Sequence, residues 1–462
     1  MTDTTWVFDR LQQYADRTAL VWNGQPHGYA DLLERVDQWR QVLAAKKITP
    51  GRCIAIHGGF SPGTTTLLMA LIANRNIIVP LTTPSVTERE RGVRISHVDA
   101  VFAFSGDDAW EFAPCQPEST NPLLEQFRGQ GEAGLILLSS GSTGQTKAAL
   151  HNFPRLLESY RKPRTSYRTL AFLLLDHIGG INTLFNILCS GGTVVSLTER
   201  TPESICRAIH EHRVQLLPTT PTFLRMLLIS EAYKKFDLSS LELISYGTEP
   251  MPAATLRELS RVFPGARLKQ TYGLTEVGIL PTKSETNDSL WLAVGGAGFE
   301  TKIVDNVLWI RAQMAMVGYL NHPSPFDGEG WFNTGDVVEQ RGDYIRFLGR
   351  KSEIINIGGE KVFPAEVENV IQQVDNVKEV TVRGRPSPIT GNIVVATVEV
   401  SSPEDPDLLE ERIRAVCRER LAPYKIPALI EIASDTLCGD RFKKIRKVKA
   451  KPAPGAGNRP QS

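Results

Sequence analysis

Leu135-Ile136-Leu137-Leu138-Ser139-Ser140-Gly141-Ser142-Thr143-Gly144-Gln145-Thr146-Lys147 joins a short apolar run to small and hydroxylated residues, and ends on a lysine. The run Leu135–Leu138 reads as a buried strand, and the small residues after it as a turn. Small residues let a backbone come close to a polyphosphate. Hydroxyls and N–H groups supply donors there, and Lys147 supplies charge. Only two residues separate Gly141 from Gly144, so the Walker pattern GxxxxGK[ST] does not fit. Taken alone, the stretch suits a phosphate cradle and a Ser/Thr/Gly surface turn equally well.

Outward from this strand the same beat repeats. Leu32, Val36, Trp39 and Leu43 lie on one helical face. Strand-like runs occur at Cys53–His57, Ile77–Leu81, Leu170–Leu174, Thr193–Leu197, Val214–Leu217, Leu241–Tyr246 and Leu268–Thr271. Helical patterns lie between several of them, at Thr65–Ala73, Pro221–Tyr233 and Ala253–Phe263. Alternating strands and helices predict an α/β fold with parallel sheets covered by helices. Ligands of such sheets bind beyond the carboxyl ends of the strands. From about residue 285 to Gly349 short β-like pieces and turns dominate. A smaller α+β unit then begins, with Val367, Val370, Ile371 and Val374 on one helical face. Strands are expected near Val377–Val382, Ile393–Val400 and Ala428–Ile432, and a helix near Leu408–Arg420. The expected division is 1–349 for a large N-terminal domain, 350–450 for a small mobile one, and 451–462 for a disordered tail rich in Pro and Gly.

Composition narrows the function. Among 462 residues, 52 are Lys or Arg and 51 Asp or Glu, a net charge of +1. A nucleic-acid binder needs a clear basic excess, so no nucleic-acid partner is expected. The six cysteines include no CxxC pair, which argues against a metal cluster or a disulfide framework. No apolar run approaches the ~20 residues that span a bilayer. The opening residues lack a signal-peptide pattern, and a cytoplasmic location is the expectation.

Three further stretches carry chemistry. Gln270-Thr271-Tyr272-Gly273-Leu274-Thr275-Glu276 ends a predicted strand with a hydroxyl beside a carboxylate, a donor set that suits Mg²⁺. Tyr272 could stack on a base; an ordinary loop is the other reading. Trp331-Phe332-Asn333-Thr334-Gly335-Asp336 ends on an acid able to accept from two ribose hydroxyls, or to cap a turn. Gly349-Arg350-Lys351-Ser352-Glu353 leads into Ile354-Ile355-Asn356-Ile357-Gly358-Gly359-Glu360-Lys361-Val362-Phe363-Pro364. Arg350 could clamp the same sugar or form a surface ion pair.

These four stretches, in this order and at these distances, resemble the adenylate-forming superfamily: acyl- and aryl-CoA synthetases, peptide-synthetase adenylation domains and firefly luciferase. The resemblance runs from about 15 to 450. It implies ATP-dependent adenylation of a carboxylic acid, with Mg²⁺, followed by transfer to a thiol. The acceptor would be CoA or a carrier-protein phosphopantetheine, and the adenylate could also serve other chemistry. It further implies that Ser140, Gly141, Ser142, Thr143, Gly144 and Lys147 bind the β- and γ-phosphates. Tyr272 would lie against adenine, Thr275 would contact phosphate and Glu276 would hold the metal. Asp336 and Arg350 would bind the ribose. The stretch Ser245, Tyr246, Gly247, Thr248 and Glu249 would border adenine and the acyl group, with Gly273 beside them. Gly358 and Gly359 would line a tunnel for the thiol arm, and Ser352 would stand at the domain hinge.

The resemblance also implies a catalytic lysine near the C-terminus in a GKxxR setting. Phe442-Lys443-Lys444-Ile445-Arg446 offers Lys443, three residues before Arg446, with Phe442 where the pattern has Gly. Lys444 is a rival, and a solvated basic tail is the remaining reading. The phosphate stretch has Thr146 where Pro is usual, and Ser352 stands where Asp or Lys is usual. Asp176-His177-Ile178-Gly179-Gly180 falls where CoA synthetases carry His and amino-acid adenylating domains carry Asp. His177 is either a substrate-gating residue or a packed structural one; Asp176 is a candidate for binding an amine. Gly179 and Gly180 are expected to leave room for the acid.

Overall fold

The computed structural model describes residues 3–140, 145–197, 199–388, 390–439 and 442–444. The expectations for Gly141, Ser142, Thr143, Gly144, Arg446 and the 451–462 tail lie outside these residues. The chain divides into two compact units between Lys351 and Ser352.

Runs such as Cys53–Ile56 and Ile77–Leu81 are buried at every position. A strand buried on both faces must be covered on both, which is the situation of central strands in parallel sheets. Among the described residues, one seven-stranded sheet has the order Gly318–Tyr319, Thr146–Asn152, Gly134–Ser140, Ile77–Leu81, Cys53–His57, Ala100–Phe104, Trp110–Pro114. Its central pairs are parallel and its outer pairs antiparallel. Helix Pro62–Ala73 is buried almost throughout. It opens on a Ser61 cap whose hydroxyl accepts from Thr64 N, with Pro62 in the first turn where its missing N–H costs nothing.

A second seven-stranded sheet runs Arg267–Gln270, Leu243–Tyr246, Leu216–Thr219, Arg168–Leu170, Thr193–Val195, Thr18–Trp22, Gln25–Gly28. The first six are parallel to their neighbours, and Gln25–Gly28 returns antiparallel. Four adjacent parallel strands therefore open their carboxyl ends on one side: those ending at Leu170, Thr219, Tyr246 and Gln270. The region after 285 forms a six-stranded antiparallel sheet, Thr282–Ser284, Leu292–Val294, Tyr344–Arg350, Phe332–Arg341, Val307–Ala312, Phe299–Val304.

The second unit holds the hairpin Ile355–Ile357/Glu360–Val362. It also has a three-stranded sheet Val377–Ser387, Gly391–Val400, Leu429–Ile432 and helices Pro364–Ile371 and Pro406–Arg420. Val367, Ile371, Val380, Val394, Leu409 and Ile413 form its separate core.

The structure differs from the sequence expectation at several elements. The strand expected at Leu170–Leu174 ends at Leu170, and the helix expected to reach Tyr233 ends at Ser230. There Glu231 takes a left-handed conformation (φ 53) and a single 3₁₀ turn follows. Helix Ile178–Leu188 goes unpredicted because it opens on two glycines, poor helix formers; burial of Ile181, Leu184 and Phe185 decides it.

Candidate active site

The four neighbouring carboxyl ends converge on a small cavity of about 40 Å³. It is lined by Leu173, His177 and Gly179 after the first strand, Pro218 and Thr219 on the second, and Ser245, Gly247 and Thr248 at the third. Thr271 and Gly273 come after the fourth. This is where an open parallel sheet binds its ligand.

His177 caps helix Ile178–Leu188: its Nδ1 accepts from Gly179 N at 3.0 Å, which leaves the proton of the neutral ring on Nε2. The gating and the structural reading thus meet in one side chain, a cap that also lines the cavity. Two of the residues expected at the acid sit away from the cavity lining. A Cβ on Gly180 would lie 1.9 Å from Leu174 O, so Gly180 lets the helix pack against that carbonyl. Tyr246 is buried (1% exposed) and alternates with Ser245 along the strand, so Ser245 alone of the two lines the cavity. Asp176 is buried at 5% exposure and is not among the lining residues.

Gly247 and Thr271 meet closely, since a Cβ on Gly247 would come 2.5 Å from Thr271 Oγ1. Thr248 follows with φ 74, a backbone region costly for a β-branched residue and commonest at functional sites. Glu249 Oε2 accepts from Thr222 Oγ1 at 2.7 Å, tying this turn to the helix Pro221–Ser230.

Tyr272–Leu274 pairs with Gly278–Leu280, and Thr275 and Glu276 occupy the turn between them. Glu276 Oε1 accepts from the Tyr319 hydroxyl. Lys147 Nζ stands 5.0 Å from the centroid of the same Tyr319 ring. One aromatic ring therefore links the phosphate stretch to the carboxylate stretch. Burial and the Glu276 charge push the Tyr319 phenol far above its ordinary range. Asn321 closes the other side: its Oδ1 accepts from Ala148 N at 2.9 Å and its Nδ2 donates to Thr146 O at 2.8 Å.

Strands Phe332–Arg341 and Tyr344–Arg350 place Asp336 opposite Arg350. Arg350 Nε meets Asp336 Oδ1 at 2.7 Å, and its Nη1 donates to Thr334 O at 2.7 Å. The other carboxylate oxygen accepts from the Tyr272 hydroxyl at 2.6 Å. Tyr272 stacks on Phe347 with centroids 4.4 Å apart. Burial raises the Asp336 carboxyl, with Arg350 and the Tyr272 bond acting in the opposite direction. The ion-pair reading of Arg350 and the sugar-binding reading share one arrangement, because its partner is Asp336 itself.

In the second unit, Gly358 (φ 56) and Gly359 (φ 94) form the turn of the hairpin Ile355–Ile357/Glu360–Val362. Both positions need φ > 0, and nothing lies within 4 Å of a Cβ built on either. Lys443 O accepts from Gly439 N at 2.9 Å. Lys444 Nζ lies 3.1 Å from Glu379 and 3.3 Å from Glu368.

Sequence reasoning missed Tyr319, Asn321, Phe347, Thr219 and Thr222. Gly318-Tyr319 precedes a turn-rich stretch without periodicity, so the only signal there was an aromatic after a glycine.

Among the described residues no group of three or more His, Cys, Asp or Glu could hold a metal. Mg²⁺ takes one or two protein carboxylates, with substrate phosphates and waters, in place of a protein cage. Glu276, with one oxygen engaged by Tyr319, fits such a role. No helix of the described residues is long and apolar enough to cross a membrane.

The family described as AMP-binding enzyme matches residues 7–320, and the AMP-binding enzyme C-terminal domain matches residues 366–438. A 3-(7a-methyl-1,5-dioxo-octahydro-1H-inden-4-yl)propanoyl:CoA ligase of Mycobacterium tuberculosis is 30% identical, with 96% of this chain and 97% of that protein covered. The 2-succinylbenzoate--CoA ligase of Bacillus pumilus is 27% identical over 93% of each. The crystal structure of the anthranilate CoA ligase AuaEII with anthranoyl-AMP superposes with a TM-score of 0.81 at 20% identity, covering 95% of each chain. The chain belongs to the AMP-binding enzyme family of adenylate-forming enzymes. It is an AMP-forming ligase: it adenylates a carboxylic acid with ATP and passes the acyl group to a thiol.

Proposed function

We propose that the acid is aryl or short acyl, that CoA is the thiol, and that the site residues divide the work between them. Asp336 and Arg350 hold the ribose, with the Asp336 oxygen now bonded to Tyr272 turning to a sugar hydroxyl. The face of Tyr272 opposite Phe347 receives adenine, and the turn Gly247–Glu249 borders it. Lys147 and Thr275 contact the phosphates. Glu276 holds Mg²⁺, which when bound neutralises phosphate charge. The cavity between His177, Gly179, Thr219, Ser245 and Gly273 takes the acid, where the Nε2–H of His177 serves as a donor.

In the first half-reaction the carboxylate attacks the α-phosphorus and pyrophosphate leaves. Little covalent work falls to the protein, so positioning and charge carry the rate. Lys443 supplies the cation at the α-phosphoryl oxygen. In the second, the thiol attacks the adenylate carbonyl and AMP leaves; Gly358 and Gly359 border its path, and Ser352 stands at the hinge between the two units.

The observation that carries this reading is the pair of contacts made by two tyrosines. Tyr319 joins Lys147 to Glu276, and Tyr272 joins its own strand to Asp336. Support for an aromatic acid comes from relatives named for succinylbenzoate, indoleacetate and ferulate. Pyrophosphate release measured over aryl, fatty and amino acids, with and without CoA, tests the proposal. Release driven best by long-chain fatty acids, or no CoA thioester from the best acid, overturns it.

A further inference from the structure

Lys444 lies almost wholly inside the small unit, 13% exposed, between two buried glutamates. Glu368 comes from helix Pro364–Ile371 and Glu379 from strand Val377–Ser387; they are 2% and 5% exposed. Each carboxylate is also fixed by the backbone: Glu368 Oε1 accepts from Val382 N at 3.0 Å, and Glu379 Oε1 from Val380 N at 2.9 Å. Gln372 Nε2 adds a third bond, to Glu379 at 2.7 Å. Lys444 Nζ also reaches Val380 O at 3.4 Å. A cation so placed fastens its own backbone to the helix and the sheet at once.

That backbone carries Lys443 on one side and, one residue further, Phe442 at φ +52. A left-handed conformation is unfavourable for a residue that carries a Cβ. The segment just before Lys443 is therefore held in a strained shape, and such shapes persist only where the surroundings over-determine them.

We propose that Lys444 is a positioning residue: its ammonium, clamped by Glu368 and Glu379, holds Phe442-Lys443 in the conformation that adenylation requires. The inference rests on Lys443 being the cation of the first half-reaction. It also assigns the two adjacent lysines different tasks, one facing the chemistry and one facing the core.

The test uses the full chain. The probe is whichever of benzoate, 2-aminobenzoate, 4-hydroxycinnamate, hexanoate and malonate gives the fastest pyrophosphate release. Its chemically made adenylate, with CoA, reads the second half-reaction separately. Lys444→Met should lower kcat for pyrophosphate release at least tenfold, leave KM for ATP within twofold, and leave thioester formation from the adenylate unchanged. Lys444→Arg, which keeps the charge, should restore most of the rate. Wild-type pyrophosphate release in Lys444→Met overturns the inference, as does equal loss of both half-reactions. Should Lys444→Met not fold because two carboxylates are left together, the variant Lys444→Met/Glu368→Gln/Glu379→Gln removes that repulsion. It should fold and still release pyrophosphate slowly; full activity there overturns the inference. Lys443→Ala is the separating control. If it releases pyrophosphate normally, the reading of Lys443 itself fails; if it is slow and Lys444→Met is not, only the positioning role fails.

Discussion

The Tyr272 hydroxyl donates to Asp336 Oδ2 at 2.6 Å while Arg350 Nε holds Oδ1 at 2.7 Å, so both oxygens of the ribose candidate are engaged before any nucleotide arrives. A sugar hydroxyl must replace the phenol at Oδ2. Replacing one partner by another of the same kind costs little, whereas losing the charge and one of the two acceptor oxygens weakens the bonds to Arg350 and to the sugar. Asp336→Asn should raise KM for ATP about 10- to 100-fold, the range of roughly 1.5–3 kcal/mol for a bond to a charged group. Tyr272→Phe keeps the stack on Phe347 and frees Oδ2, and should change KM for ATP less than threefold. Steady-state kinetics of pyrophosphate release read both, and a larger effect in Tyr272→Phe than in Asp336→Asn would show that the phenol, not the carboxylate, is the nucleotide's partner.

Thr219 Oγ1 is buried, without a hydrogen-bond partner, on the wall of the cavity. A ligand atom able to bond it relieves a cost of about 1–3 kcal/mol, which an alkyl or plain aryl group cannot do. Acids with a hydroxyl or amino substituent near the carboxyl group should therefore be preferred over their unsubstituted analogues. Thr219→Val should reduce that preference in kcat/KM by about tenfold, most simply seen with 2-hydroxybenzoate against benzoate. Equal preference in the two enzymes would remove Thr219 from substrate selection.

His151 is buried in strand Thr146–Asn152 with no partner at either ring nitrogen, and burial pushes its pKa down to about 4. In the unfolded chain it would protonate near 6.5. Between these values the unfolded state holds the extra proton, so stability rises with pH there. The contribution is complete above about pH 6.5 and is lost as pH falls towards 4, a difference of roughly 3 kcal/mol. His151→Leu, similar in volume and without a titrating group, should show a flatter fall in thermal midpoint from pH 7 to 4.5. Parallel curves for the two proteins would mean that the ring is solvated when charged.

Glu276→Gln keeps the bond from Tyr319 but halves what the side chain offers a cation. Turnover should drop about 10²-fold or more, and the Mg²⁺ concentration for half-maximal rate should rise, with the thermal midpoint unchanged. An unaltered Mg²⁺ dependence would put the metal on other ligands.

How far the sequence led depended on the kind of signal each residue carried. The central strands were visible because Cys53–Ile56 and Ile77–Leu81 are uninterrupted apolar runs, and Val367, Val370 and Ile371 showed their helix by spacing. Thr146–Asn152 was not read as a strand, since its pairing with Gly134–Ser140 is a long-range choice that TKAALHN does not encode by alternation. Asp336 and Arg350 stood out as motif residues, but only the register of two antiparallel strands sets them face to face. Gly180 stayed ambiguous because an absent side chain can make room for a ligand or for the chain's own backbone, here Leu174 O, and spacing cannot tell which.

Gly359 presents the same ambiguity. It is proposed to border the thiol's path, and it also sits at φ 94 in a hairpin turn with nothing within 4 Å of where a Cβ would stand. Any side chain there carries the conformational cost of about 1–2 kcal/mol; only a large one also obstructs the approach of a thiol. Gly359→Ala measures the first effect alone, and Gly359→Trp measures both. Pyrophosphate release should be near wild type in each, because the turn is proposed to act only in the second half-reaction, when the thiol approaches the adenylate. Thioester yield from preformed adenylate should fall less than threefold in Gly359→Ala and at least tenfold in Gly359→Trp. If alanine costs as much as tryptophan, glycine is there for the turn and not for the path. If neither affects thioester formation, the thiol reaches the adenylate along another route.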